Sequence, residues 1–131
     1  MADFSIKPDP RYRSFRELTV WQQSMDLAVE IHAAAARLPP SERFDLGRDL
    51  RKTVRSIPSN VAEGFNRHSR ASYRFHVSVA LGSQGELETQ VELARRLGHL
   101  SDSEADRLQM LIATVGRLLH GLWRSLAGGG E

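Results

Sequence analysis

An all-α fold, an antiparallel up-down-up-down four-helix bundle, is predicted by three features of this sequence. Apolar residues recur every three to four positions in four separate segments. The connections between them are short and carry helix-stopping residues, Pro39-Pro40 and Gly98 among them. No stretch alternates apolar and polar residues with the period of two that a half-buried strand requires. Consecutive amphipathic helices on short loops pack as antiparallel neighbours around one core. The 131 residues suit a single domain.

The first helix is expected from Thr19, where Thr19-x-x-Gln22 fits a capping box, to about Leu38, ahead of Pro39-Pro40. The second starts between Ser41 and Leu46 and ends near Asn66; Leu46, Leu50, Val54, Ile57 and Val61 share one face. Pro58 lies inside it. A proline there donates no hydrogen bond and clashes with the carbonyl four residues back, that of Val54, so one helix kinked at Pro58 is expected. Ser59 or Asn60 is positioned to re-cap its second half, with Glu63 reaching back. The third helix spans about Ser69 to Leu97, with Gly98 suited to the left-handed residue that follows a helix. The fourth opens on the capping box Ser101-Asp102-Ser103-Glu104 and runs to about Leu126. Residues 1–13 read as a flexible N-terminal tail, 14–127 as the bundle domain and 128–131 as a flexible C-terminal tail.

Hydrophobic content of 40% and charged content of 26% are those of a globular chain. The absence of cysteine excludes disulfides, thiolate nucleophiles and thiolate-bound metals. No Glu-x-x-His or His-Glu-x-x-His pair is present, and the five histidines share no ligand spacing. Gly82-Ser83-Gln84-Gly85 lacks the Gly-x-Ser-x-Gly spacing of a nucleophile elbow. The chain is therefore read as a non-enzyme without cofactor or metal. With no apolar run near the ~20 residues that cross a bilayer, it is read as cytoplasmic and not membrane-bound.

The net charge of +2 says little, but its distribution says more. Between Arg43 and Arg74, eight cations face three acids, so this segment carries +5 and the remainder −3. Arg48, Arg51, Lys52 and Arg55 fall within an arc of about 100° on the second helix, opposite its apolar face. Arg67, Arg70 and Arg74 follow at the next turn. Taken singly, such cations are an ordinary solvated helix face; a stripe continued by a basic turn is a candidate site for a polyanion, RNA or DNA. Tyr73, Phe75 and His76 lie beside it and could stack on unpaired bases, although aromatic residues at helical spacing are more often core.

The third helix carries two apolar stripes. One is Tyr73, Val77, Ala80, Gln84, Leu87 and Val91; the other is Phe75, Val79, Gly82, Leu93 and Leu97, with Glu86 among them. A helix of a monomeric bundle needs one such stripe. The second predicts a subunit interface in a symmetric homo-oligomer; the alternative is that Phe75 and Val79 pack under the connection between the first two helices or under the tail. Gly82 and Gly85 each cost about 1 kcal/mol relative to alanine in a helix interior, which close approach of another backbone would explain.

Several segments carry a family resemblance: Phe15-Arg16-Glu17-Leu18-x-Val20-Trp21-Gln22, Arg51-x-x-x-Arg55-Ser56-Ile57-Pro58-Ser59-Asn60-Val61-Ala62-Glu63-Gly64, Ala80-Leu81-Gly82-Ser83, Glu86-Leu87-Glu88-Thr89-Gln90 and Leu97-Gly98-His99-Leu100. Over about residues 14–126 the chain resembles the four helix bundle proteins encoded by intervening sequences of bacterial large-subunit ribosomal RNA genes, to which the accessory variability determinant of diversity-generating retroelements is related. Gly85 departs from that pattern, where a larger residue is expected. The resemblance implies a homopentamer of barrel or funnel shape. For the accessory group it implies a basic surface that binds nucleic acid and a reverse-transcriptase partner. It supports Arg51 and Arg55 by motif position and brings no catalytic residue. Two functions follow as alternatives, an oligomeric nucleic-acid-binding accessory protein and a protein-interaction scaffold.

Overall fold

The computed structural model describes residues 9–127. Among them lie four α-helices, α1 (Thr19–Ala36), α2 (Leu46–Phe65), α3 (Arg70–Arg96) and α4 (Asp102–Ser125), and two short 3-10 turns at Phe15–Glu17 and Pro40–Glu42; they include no strand. Each helix packs on the next and α1 closes on α4, with α2 and α3 sharing the broadest contact. This is the four-helix arrangement that the apolar periodicity predicts. The core is the sum of the four inward stripes: Leu27 and Ile31 of α1, Leu50, Val54, Ile57 and Val61 of α2, Val77, Leu87 and Val91 of α3, and Leu108, Ile112 and Leu119 of α4. Each such side chain contributes about 1.5–3 kcal/mol on full burial. Phe65 and Tyr73 meet edge to face, with centroids 6.0 Å apart, and close the core where α2 turns into α3.

Helix ends follow local hydrogen-bonding chemistry. Ser69 and Ser101 cap α3 and α4 by accepting from the amides of Ser72 and Glu104. Gly98 has φ 79°, the left-handed geometry that glycine adopts at least cost. α1 begins at Thr19 as expected, without the expected capping box. Ser14 caps the Phe15–Glu17 turn, Leu18 is the residue before α1, and the Gln22 amide donates to the Arg16 carbonyl at 2.9 Å. Within α2 there is no re-cap, because the helix continues through Pro58 from Leu46 to Phe65. Asn60 instead donates to the Ser56 carbonyl at 2.8 Å, its Oδ1 lies 3.1 Å from His76 Nδ1, and Glu63 pairs with Arg67.

The α2–α3 seam also carries a polar clasp. Ser56 donates to Ser83, and Gln90 donates to the Thr53 hydroxyl at 3.0 Å. Two glycines allow close helix approach. A Cβ on Gly64 would lie 2.9 Å from the Cβ of His76 and 3.2 Å from the carbonyl of Tyr73; one on Gly116 would run into the Gln84 amide at 2.6 Å. Gly82 and Gly85, expected to serve close approach, have nothing within 4 Å of such a Cβ, so packing inside the chain does not require them.

Residues 1–8 of the expected N-terminal tail, and 128–131 of the C-terminal one, lie outside the described residues. From Asp9 onward the chain is laid against the bundle. Asp9 is buried and pairs with Arg11 at 2.8 Å, and Tyr12 packs on the core. The Arg11 hydrogen bond holds the Asp9 carboxyl below its ordinary range. No helix among the described residues is long and apolar enough to cross a membrane.

Candidate nucleic-acid interface

The apolar face of α2 is consumed by the core, so its opposite face must point outward. Arg48, Lys52 and Arg55 are exposed there and enter no ion pair among the described residues; Arg51 is half-buried and donates to the Arg43 carbonyl at 3.1 Å. The four cations straddle the outer ridge of α2. Arg55 leans toward α1, where it shares an apolar groove of about 430 Å³ with Met25, Ala28, Val29, His32, Pro58 and Ser59. Lys52 leans toward α3, into a polar hollow of about 300 Å³ that also receives Asp49, Thr53, Ser56, Ser83, Glu86 and Gln90. Asp49 and Glu86 therefore temper the charge of Lys52. His32 adds no proton here: burial, then Arg55 and Arg51, hold its pKa below the usual 6.5.

The three arginines of the following turn have different surroundings. Arg67 pairs with Glu63 one helical turn back, at 2.5 Å. Arg70 donates to the Ser125 carbonyl at 2.8 Å. Arg74 donates to the Trp123 carbonyl at 3.2 Å and lies 3.6 Å above the Trp123 ring. Both therefore satisfy carbonyls at the C-terminal end of α4, where cations complement the helix dipole. Of the adjoining aromatic residues, Tyr73 is core, His76 is half-buried against Asn60, and Phe75 is 61% exposed. Elsewhere on the surface, several arginines are paired with acids. Arg95 and Arg96 flank Glu92 and hold its carboxyl down to about 2, and Arg107 bridges Glu30 and Glu104.

The second stripe of α3 stays uncovered within the chain: Phe75, Val79, Leu93, Leu97, Gly82 and Glu86 are all exposed. One apolar surface escapes the sequence reading. Val29 of α1 is 67% exposed and, with Met25, lines the α1–α2 groove. Its residues come from two helices, and only pairing α1 with α2 brings them together. Among the described residues, no group of three His, Asp or Glu side chains is arranged to hold a metal ion.

No functionally curated protein matches the chain. A crystal structure of a protein of unknown function from the S23 ribosomal protein family of Bacteroides thetaiotaomicron is 22% identical, with a TM-score of 0.76 over 80% of this chain and 95% of that one, and shares the fold. Residues 16–121 match the family described as 23S rRNA-intervening sequence protein, nearly the whole bundle and both halves of the α2–α3 seam. The chain belongs to the 23S rRNA-intervening sequence protein family.

Proposed function

We propose that this protein is a non-enzymatic, oligomeric RNA-binding accessory protein that engages the phosphate backbone through the outer ridge of α2. The observation that carries this reading is the set Arg48, Arg51 and Arg55, with Lys52 beside them, held outward on one rigid helix without an ion-pairing acid among the described residues. Cations fixed in this way contact phosphates and give affinity with little sequence readout. The family's link to a ribosomal RNA gene favours RNA over DNA. Arg67, Arg70 and Arg74 fall outside the core of this site because Arg67 is paired with Glu63 and the other two are turned against the C-terminal end of α4.

The oligomeric part of the reading rests on the uncovered stripe of α3; the homopentamer is what the family resemblance implies. A scaffold role is favoured by the same stripe, since an exposed apolar surface marks a protein contact. The test is fluorescence anisotropy with a labelled, structured RNA. Binding near micromolar or tighter, abolished in Arg51→Glu/Arg55→Glu with an unchanged circular dichroism spectrum, supports the α2 site. Equal affinity in the double variant rejects it, and no binding at low salt leaves the scaffold role.

A further inference from the structure

We propose that Phe44, in the turn before α2, is a stacking platform for an unpaired base of the RNA whose backbone lies on the α2 ridge. The inference rests on the RNA-binding reading above and adds the class of RNA, single-stranded segments such as loops and ends. Phe44 is 72% exposed and lies outside the core. Among the described residues it pairs with no other ring and no cation. A ring left in water adds nothing to the fold, since burial is what makes an apolar side chain stabilising. Its backbone is nevertheless fixed on both sides. The Arg43 amide donates to the Pro40 carbonyl and the Asp45 amide to the Glu42 carbonyl, each at 3.2 Å. Glu42 in turn meets His99 at 3.3 Å. The turn also sits tightly on the start of α2, where a Cβ on Gly47 would come 3.0 Å from the Glu42 carbonyl oxygen and 3.3 Å from Arg51 Nη1. A free ring on a fixed backbone loses little freedom when a base settles on it.

The ridge itself ties this turn in place, because Arg51 reaches back to donate to the Arg43 carbonyl. From Arg48 to Arg55 the ridge rises by about 10 Å, and Phe44 stands just beyond its N-terminal end. Arg43 and Asp45, on either side of the ring, are exposed and opposite in charge, so the ring adds a contact that charge does not. Phe75, the other exposed ring, lies beyond the opposite end of α2, near the arginines turned against α4. A row of cations along the backbone with an aromatic face beside it is the general plan of single-strand binding. Bases of a duplex are already stacked and paired, so they offer the ring nothing to receive. A protein contact, by comparison, needs contiguous apolar surface. Among the described residues, no other large apolar side chain is exposed on α2 or on the turn before it.

Anisotropy with one labelled oligoribonucleotide, used alone and annealed into a blunt duplex, tests this. Phe44→Ala is expected to weaken binding of the single strand by about tenfold, as loss of one base–aromatic stack does. The duplex should change by less than about twofold. The slope of log affinity against log salt should stay as in the wild type, because no cation is removed. Phe44→Trp should restore single-strand affinity, whereas Phe44→Leu, apolar but without a ring, should not. Circular dichroism and the mass from light scattering are expected to be unchanged in all three. Equal single-strand affinity in Phe44→Ala overturns the inference, as does an equal loss on strand and duplex. Full affinity in Phe44→Leu, or an altered mass that marks Phe44 as a subunit contact, also overturns it. If Phe44→Ala binds like the wild type while Arg51→Glu/Arg55→Glu does not bind, the stack falls and the ridge stands. A wild type that binds neither RNA at low salt removes both.

Discussion

The outer ridge of α2 and the turn into α3 look alike in sequence, each a run of cations spaced along a helix, yet they differ in what surrounds them. On α2 the flanking helices present His32, Met25 and Val29 on one side and a hollow with two acids on the other, so the arginines have no close acceptor beyond the Arg43 carbonyl. At the turn, the C-terminus of α4 presents free carbonyls and an indole face, and Glu63 lies one turn back. Charge available to a ligand depends on acceptors within reach, not on the number of cations. Only the tertiary neighbour supplies that information, and for Arg70 and Arg74 it comes from residues about fifty positions away.

The largest expected effect breaks the comparison from the α2 side. Arg51→Glu/Arg55→Glu should abolish RNA binding while lowering unfolding free energy by about 1 kcal/mol, chiefly through the lost bond from Arg51 to the Arg43 carbonyl. Urea denaturation alongside anisotropy checks both halves. Next, Gly64→Ala should destabilise by about 1–3 kcal/mol, because the added methyl meets His76 and a backbone carbonyl of α3. Gly82→Ala, facing open space, should leave the monomer as stable or more so. From the turn side, Arg70→Gln/Arg74→Gln should cost about 1–3 kcal/mol through the lost carbonyl bonds and the Trp123 stack. RNA affinity should stay within about twofold, since these donors are not phosphate contacts.

The smallest effect concerns pH. His32 has a folded pKa below 6.5, so the unfolded chain takes up the proton first and stability falls as pH drops through that value. His32→Gln removes this contribution. Its melting temperature should fall less than that of the wild type between pH 7.5 and 5.5, by an amount worth under about 1 kcal/mol. Equal slopes would mean that neither burial nor the field of Arg55 and Arg51 depresses His32.

Helix number, order and approximate ends were legible because each stripe is long and each stop is chemical: the left-handed Gly98, the caps Ser69 and Ser101, and the prolines after α1. The start of α1 at Thr19 was legible but its cap was not, because Thr19-x-x-Gln22 matches a capping box while the Gln22 amide is committed to Arg16 from the preceding turn. The α2 stripe was readable from angular spacing alone, since the core fixes which face of α2 is outward. The α1–α2 groove was not, because Met25 and Val29 of α1 meet Pro58 of α2 only after folding. The same holds for Gly64 and Gly116, whose tight neighbours belong to other helices.

The central claim, that the α2 ridge carries the phosphate contacts and the turn arginines do not, is tested most directly by the salt dependence of RNA affinity. Each phosphate-contacting cation removed should flatten the slope of log affinity against log salt by about 1. Neutralising Arg51 and Arg55 to glutamine should therefore flatten it by about 2, while Arg70→Gln/Arg74→Gln leaves it unchanged. A slope that flattens in the turn variant and not in the α2 variant would contradict the account.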